Sequence, residues 1–189
     1  EIPAFLFIPE VREVSCPATI YVDGCGKKVG VECPTTISRW AQEGRIILSL
    51  DVRGIGETVD LGSEPKYYNL EQRVSVLALH IGRPLLGQRI EDVLTAMDVL
   101  EEYPEVDGTQ VDLVGIKQMG PVVLHAAAFD DRFKSVTLNQ SICSWVEDVV
   151  GQPLQPNLMG QVVPSALKKY DLPDLIAAIA PRDVIIQGA

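Results

Sequence analysis

The chain has 189 residues, of which 47% are hydrophobic and 22% are charged, and its formal net charge is −10. This length and composition are typical of one globular domain with a sizeable core, which we place at residues 1–189. The acidic balance argues against a nucleic-acid surface, because such surfaces need clustered lysine and arginine. No apolar run approaches the roughly 20 residues of a membrane helix. We therefore expect neither a nucleic acid nor a membrane as partner.

The first residues and the cysteines leave the cellular location open. Residues 1–8 are strand-like and begin without methionine or a signal peptide, as in a mature or trimmed fragment, so periplasmic, secreted and cytoplasmic locations are all compatible. The four cysteines lack C-x-x-C spacing and the chain has two histidines, so we expect no metal and no cofactor. Free thiols are the simpler interpretation. A Cys16–Cys33 or Cys25–Cys33 disulfide is the alternative in an oxidising compartment.

Strand-like and helix-like segments alternate along the chain. Nearly continuous apolar strands are typical of a parallel sheet that is buried on both faces. The predicted elements are strands at 4–8 and 18–22, a helix at 35–43, a strand at 45–51, helices at 70–80 and 88–102, a strand at 111–115, a helix at 121–129, a strand at 134–138, a partly helical stretch at 165–180 and a strand at 183–187.

This alternation predicts the α/β class, with a doubly wound, mostly parallel sheet and helices on both faces. The strand at 111–115 should be central. We interpret residues 57–86 as an insertion over the carboxyl edge of the sheet, where ligands bind in such folds.

A strand, a sharp turn and a small-residue helix follow one another at residues 111–121, VDLVGIKQMGP. This succession is the setting of the G-x-S-x-G nucleophile elbow. On that pattern Gly115 matches the first glycine, Lys117 the serine and Met119 the second glycine. Lys117 is the candidate catalytic residue, as a neutral nucleophile or a fixed charge, with a plain scaffold turn as the alternative. We expect it at the tip, in a strained or left-handed backbone conformation, with Gln118 offering a backbone N–H to an oxyanion.

A glycine-containing loop at residues 21–27 should meet this turn, because the carboxyl ends of parallel strands share one edge of a sheet. Gly24, Cys25 and Gly26 are candidates to direct a backbone N–H at a developing oxyanion. A plain tight turn explains the same residues equally well.

Residues 50–58, LDVRGIGET, resemble the D-x-R-G-x-G-x-S segment that follows a central strand in many α/β-hydrolases. We expect Asp51 and Arg53 to line the pocket and to hydrogen-bond the loop backbones. Gly54 and Gly56 should allow a compact corner there. Since no G-x-G-x-x-G follows, nucleotide binding is disfavoured.

The remaining members of a catalytic triad have no evident place in the sequence. Along the chain of an α/β-hydrolase, the nucleophile comes first, the acid second and the histidine third. His125 follows the turn directly and is expected to be a packed helix residue, whereas His80 in the insertion is a candidate to face the cleft. Ser141 and Cys143 follow a strand at the same edge and are candidates to line the pocket.

Taken together, these segments resemble the acetyl xylan esterase-like branch of the α/β-hydrolases, which is related to the dienelactone hydrolases. The residues that carry the resemblance are 2–9, 50–57, 82–92, 103–107, 171–175 and 180–184. The resemblance implies an α/β-hydrolase fold that is incomplete at its carboxyl end, because the acid should follow residues 183–187. It also implies ester hydrolysis by a serine nucleophile without metal or cofactor.

The sequence departs from this pattern at Lys117, which leaves several functions open. One is a carboxylesterase that is weak or inactive as given and would act on a small-molecule or carbohydrate ester. Another is a non-catalytic binding or assembly module, with further chain segments or a second copy of the chain as partner. A third is lysine-based covalent chemistry on a carbonyl substrate.

Overall fold

The computed structural model describes residues 1–10, 15–29, 35–59, 70–152 and 158–188. Within these ranges six strands form one sheet, namely β1 (Ala4–Phe7), β2 (Cys16–Asp23), β3 (Ile46–Leu50), β4 (Val106–Ile116), β5 (Phe133–Asn139) and β6 (Asp183–Gln187). Their order is β1-β3-β2-β4-β5-β6. Strand β1 runs antiparallel to β3, and the other neighbours are parallel. The predicted mostly parallel sheet is confirmed, with residues 111–115 in a central strand.

Helices cover both faces of this sheet, as the sequence predicts. They are α1 (Thr35–Gln42), α2 (Leu70–His80), α3 (Leu85–Glu101), α4 (Gly120–Phe129) and α5 (Leu172–Ile179). Helix α1 belongs to a small apolar cluster, while α3, α4 and α5 share the larger one. Within β2, Ile20 and Val22 join the larger cluster and Tyr21 the smaller, because successive strand residues point to opposite faces.

The predicted starts of α3 and β4 were wrong by three residues or more. Helix α3 begins at Leu85, directly after Pro84, rather than at residue 88. Strand β4 begins at Val106 rather than at Val111, because Val106 pairs with Cys16 before the register shifts between Cys16 and Ala18. The first residues of β4 are mostly polar and their pairing is irregular. No apolar pattern in the sequence therefore indicates a strand there.

The insertion predicted at 57–86 contains the helix expected at 70–80, which is α2. Glu71 of α2 accepts a hydrogen bond from the buried Arg89 guanidinium of α3, at 3.0 Å. Residues 60–69 lie outside the described part of the chain. The position of the insertion over the site stays a prediction.

Helix α5 begins at an N-cap aspartate that also fastens the preceding loop. The Asp171 carboxylate accepts hydrogen bonds from the Leu172 and Trp145 N–H groups, both at 2.7 Å, and from the Ser144 hydroxyl at 2.6 Å. Burial raises the pKa of this carboxyl, but the hydrogen bonds outweigh burial and hold it below its usual range. Asp171 should therefore stabilise the fold in its ionised form.

We expect Asp171→Ala to lower the free energy of unfolding by about 2 kcal/mol, because it removes a helix cap and leaves buried donors unpaired. Since the folded pKa is depressed, this contribution should be present above the unfolded-state value of about 3.9 and be lost as the pH falls through the folded value. Urea denaturation at several pH values measures it. The control is Asp174→Ala, which removes only the exposed carboxylate that accepts from the Asp171 N–H. Equal losses for both variants would contradict the prediction.

Candidate functional site

The turn between β4 and α4 places Lys117 at its tip. Lys117 has φ of 55°, in the left-handed region, and opens a short 3-10 turn (Lys117–Met119) before α4 begins at Gly120. This confirms the backbone conformation that the sequence predicts. A side chain other than glycine is costly there, by roughly 1–3 kcal/mol, so the surrounding structure must hold it.

Gly115 allows α4 to approach β4 closely. A Cβ atom at Gly115 would lie 2.4 Å from Val123 Cγ2 and 2.9 Å from the Met119 carbonyl oxygen. At Gly120 a Cβ atom would lie 2.5 Å from the Ser141 Cβ. Both glycines are therefore required by the packing of this turn against its neighbours.

The loop after β2 lies directly against the turn. Gly24 donates its N–H to the Ile116 carbonyl at 3.3 Å, and Gln118 Nε2 donates to the Gly24 carbonyl at 2.9 Å. The exposed Lys117 Nζ donates to Cys25 Sγ at 3.4 Å. Of the predicted site residues, the structure thus brings together Lys117, Gln118, Gly24 and Cys25.

Three of the N–H groups predicted to meet an oxyanion, those of Gly24, Cys25 and Gly26, are bonded within the protein. Cys25 N–H donates to Asp23 Oδ1 at 2.8 Å, and Gly26 N–H donates to the Asp23 carbonyl at 2.9 Å. Gly24 N–H is used by Ile116, as described above. The Asp23 side chain closes the loop by accepting a hydrogen bond from the Cys25 N–H, which is an Asx turn. An N–H group used in this way is not free to bind an oxyanion. The arrangement corresponds to the tight turn that we considered as the alternative.

Asp51 is buried and joins three segments of the site. Its carboxylate accepts from the Lys27 N–H at 2.6 Å, from Lys27 Nζ at 2.8 Å and from the Glu57 N–H at 2.9 Å. Burial alone raises the pKa of Asp51, but these donors outweigh it and hold the pKa below its usual range. The prediction that Asp51 bonds loop backbones is confirmed. Gly56, with φ of 58°, leaves the room that this carboxylate occupies.

In the described part of the chain, the Arg53 side chain bonds a helix rather than the loop backbones that the sequence analysis expected. Its Nε donates to Asp92 Oδ1 at 2.9 Å, and its NH1 donates to Gln88 Oε1 at 3.0 Å. Both partners lie on α3. The carboxylate of Asp92 is buried and needs a cation, which explains why the guanidinium turns to the helix.

The predicted pocket residues line more than one cleft. Asp51 and Arg53 line a cleft of about 500 Å³ between β1 and α3. Asp51 also lines a second cleft of about 500 Å³, together with Cys25, Gly26, Lys28 and Glu57. Ser141 and Cys143 line a third, of about 750 Å³, at the carboxyl ends of β5 and β6.

His125 is a packed helix residue, as expected. Its Nδ1 is 2.6 Å from the Pro121 carbonyl and its Nε2 is 2.9 Å from the Tyr170 hydroxyl. Because the carbonyl can only accept, Nδ1 carries the proton and Nε2 accepts from Tyr170. Burial lowers the pKa of His125, so the ring is neutral. Both ring nitrogens are engaged away from Lys117.

His80 is exposed at the end of α2, where its Nδ1 lies 2.8 Å from the Val76 carbonyl of the same helix. Its place in the cleft stays a prediction. Cys143 has its pKa raised by burial and by the Asp148 charge, which favours the neutral thiol. The Ser141 hydroxyl donates to the neighbouring Ile142 carbonyl at 3.3 Å. Within the residues that the structure describes, the hydrogen bonds of these three residues give none of them the pairing of a nucleophile with a base.

Two residues at this edge escaped the sequence analysis. Lys27, only 2% exposed, forms the buried pair with Asp51, and Gln161 Nε2 donates to the Gln118 carbonyl at 3.4 Å. Neither has a local sequence signal, because the partners are distant in the chain. Within the described ranges, no cluster of three histidine, cysteine, aspartate or glutamate residues could hold a metal ion. No described helix combines the length and apolar character needed to cross a membrane.

The mostly parallel sheet, the helices on both faces and the left-handed turn after a central strand define an α/β-hydrolase fold. Residues 1–144 match the acetyl xylan esterase (AXE1) family. This chain belongs to the acetyl xylan esterase (AXE1) family.

The chain is also similar to a known protein from a bacterium. The chain is 24% identical over 195 residues to a candidate hydrolase, YtaP, of Bacillus subtilis (strain 168), covering 95% of this chain and 62% of that protein. The chain thus spans less than two thirds of this curated relative.

Solved structures show the same fold. A candidate acetyl xylan esterase from Bacteroides fragilis NCTC 9343 superimposes with a TM-score of 0.80 at 21% identity, covering 97% of this chain and 54% of that one. Acetyl xylan esterase 1 from Thermoanaerobacterium sp. JW/SL YS485 gives a TM-score of 0.65 at 19% identity, covering 98% and 62%. At these identities the likeness supports the fold alone.

Proposed function

We propose that this chain keeps the scaffold and the cleft of an ester hydrolase but lacks the serine mechanism, so that its own hydrolysis of esters is weak or absent. The observation that carries the proposal is Lys117 at the tip of the turn, with φ of 55°. On this proposal the turn is the counterpart of a nucleophile elbow in which lysine replaces serine.

The two histidines support this proposal. Serine hydrolases need a histidine within hydrogen-bond reach of the nucleophile to take its proton. His125 uses both ring nitrogens for Pro121 and Tyr170, and His80 bonds the carbonyl of its own helix. A serine at position 117 would therefore lack a base in this chain.

The names of the similar proteins point to esters of carbohydrates as the class of ligand. The cleft beside Cys25, about 500 Å³ with Lys28 and Glu57 in its lining, offers room for such a group. We propose a small-molecule or carbohydrate ester as the ligand. A non-catalytic binding or assembly module is the alternative function.

We expect the chain to show no saturable turnover of p-nitrophenyl acetate, because neither an activated serine nor a histidine base is present at the turn. Donors and binding alone can leave a rate roughly 10³ to 10⁴ above water in a triad-less enzyme, so the readout is saturation with substrate rather than the raw rate. Lys117→Ser should not restore turnover either, since the replacement serine has no base.

Four variants separate the outcomes. Saturable turnover that disappears in Lys117→Ala would contradict the proposal and support lysine chemistry. Turnover that survives Lys117→Ala but is lost in Ser141→Ala or Cys143→Ala would place the site at the cleft of those two residues. Turnover gained in Lys117→Ser would show that the missing histidine has a substitute.

A further inference from the structure

Two nucleophilic side chains, both exposed, meet at the turn. Lys117 Nζ lies 3.4 Å from Cys25 Sγ, and the two residues come from different loops. A cysteine attacks as its thiolate and a lysine as its neutral amine, so the pair joins two nucleophiles of different kinds. The half-buried Cys143 lies beside the negative charge of Asp148, which disfavours its thiolate.

The backbone holds this pair in place. Asp23 of β2 and Ile116 of β4 are paired in the sheet, directly before the two loops. The bond from Gln118 Nε2 to the Gly24 carbonyl ties the loops together, and the bond from Cys25 N–H to Asp23 fixes the cysteine backbone. The backbones of Cys25 and Lys117 are therefore held side by side at the sheet edge, within reach of the contact between their exposed side chains.

We propose that Cys25 and Lys117 form an acyl acceptor, in which the Cys25 thiol takes an acyl group from an activated ester or a thioester and passes it to the Lys117 amine. The cleft that Cys25 lines, about 500 Å³, leaves room for the acyl donor. This inference goes beyond the proposed function and does not depend on it, because it requires one transfer per protein and no turnover.

The transfer has two steps. The Cys25 sulfur attacks the carbonyl carbon, a C–S bond forms, and the bond to the leaving alcohol or thiol breaks. Lys117 Nζ takes the proton from the Cys25 thiol and passes it to the leaving alcohol or thiol, so that Lys117 is again neutral. The neutral Lys117 amine then attacks the thioester, a C–N bond forms and the C–S bond breaks. The proton lost by the amine returns to the Cys25 sulfur, so the products are an amide at Lys117 and a free thiol.

The transfer from Cys25 to Lys117 should be fast because the two side chains are neighbours. A thioester formed on Cys25 would lie next to Lys117 Nζ, so the attack is intramolecular and needs no diffusional encounter. Lys168 and Lys169 are also exposed, but neither is hydrogen-bonded to a thiol in the described part of the chain. They serve as internal controls for direct acylation by the reagent.

The test is incubation of the protein with p-nitrophenyl acetate at mildly alkaline pH, followed by peptide mass spectrometry over time. We expect acetylation of Lys117 to be at least about tenfold faster than that of Lys168. In Cys25→Ala it should fall to the rate of Lys168, whereas Cys16→Ala, which removes a thiol at the opposite end of β2, should leave it unchanged. In Lys117→Arg the acetyl group should stay on Cys25 as a thioester, which neutral hydroxylamine removes.

Equal acetylation of Lys117 in the wild type and in Cys25→Ala would overturn the inference, as would equal rates at Lys117 and Lys168. Absence of a hydroxylamine-sensitive acetyl group in Lys117→Arg would overturn the first step. The proposed function fails by a different readout, namely release of p-nitrophenol that continues beyond one equivalent per protein and saturates with substrate.

Discussion

Asp51→Asn should lower the free energy of unfolding by about 3 kcal/mol, because it leaves the Lys27 ammonium buried without its main counter-ion. The side chains of Lys27 and Asp51 are 2% and 1% exposed, so water cannot replace the lost partner. Asparagine also loses one of the two oxygens that accept the Lys27 and Glu57 N–H groups. Urea denaturation at neutral pH measures the loss.

Glu57→Gln is the matched control for this experiment. Glu57 is bonded to the same Lys27 Nζ at 2.7 Å, but its side chain is 53% exposed, so we expect a loss below about 1 kcal/mol. The double variant Lys27→Met with Asp51→Asn should recover part of the loss, because no unpaired charge is left inside. Equal losses for Asp51→Asn and Glu57→Gln would show that burial does not set the strength of this pair.

Gly115→Ala should destabilise the protein by about 3 kcal/mol, since the added methyl group has no space between β4 and α4. It would lie 2.4 Å from a Val123 methyl and 2.9 Å from the Met119 carbonyl oxygen, and backbone cannot move aside cheaply. The shift should also displace Lys117, so the variant tests whether the turn depends on this close approach.

The opposite result is expected for Gly87→Ala. Gly87 lies within α3, and a Cβ atom there would have no atom within 4 Å. Alanine should stabilise the helix by about 0.5–1 kcal/mol, because it restricts the unfolded chain without a clash. The melting temperatures of the two variants should therefore move in opposite directions. A lower melting temperature for Gly87→Ala would contradict this prediction.

Most of the sheet could be predicted from the sequence because its strands are apolar on both faces. The bounds of β6 and of α2 agree with the prediction, and the turn at Lys117 follows from a short strand, a glycine and a small-residue helix. The beginning of β4 escaped because its residues are polar and its register shifts beside β2. Periodicity reports burial, so a half-exposed, irregular strand gives no signal.

The site was less predictable than the fold, for a physical reason. Each loop was placed at the correct edge, but the partners of its side chains depend on contacts between distant segments. Nothing local indicates that Asp23 bonds the Cys25 N–H, or that Arg53 turns to Asp92. The contact between Lys117 and Cys25 likewise exists only once β2 and β4 are paired.

The pairing of β2 with β4 also bears on how the chain folds. Strand β2 has β3 on one side and β4 on the other, although β4 comes after two further helices in the sequence. During synthesis, β1, β2 and β3 would emerge first. The edge of β2 that pairs with β4 would stay unpaired until α2, α3 and β4 had also been made. Such distant parallel pairings slow folding and leave strand edges open to other chains. Expression yield at low temperature, or with chaperones added, should therefore respond more to changes in β4 than to equal changes in β1.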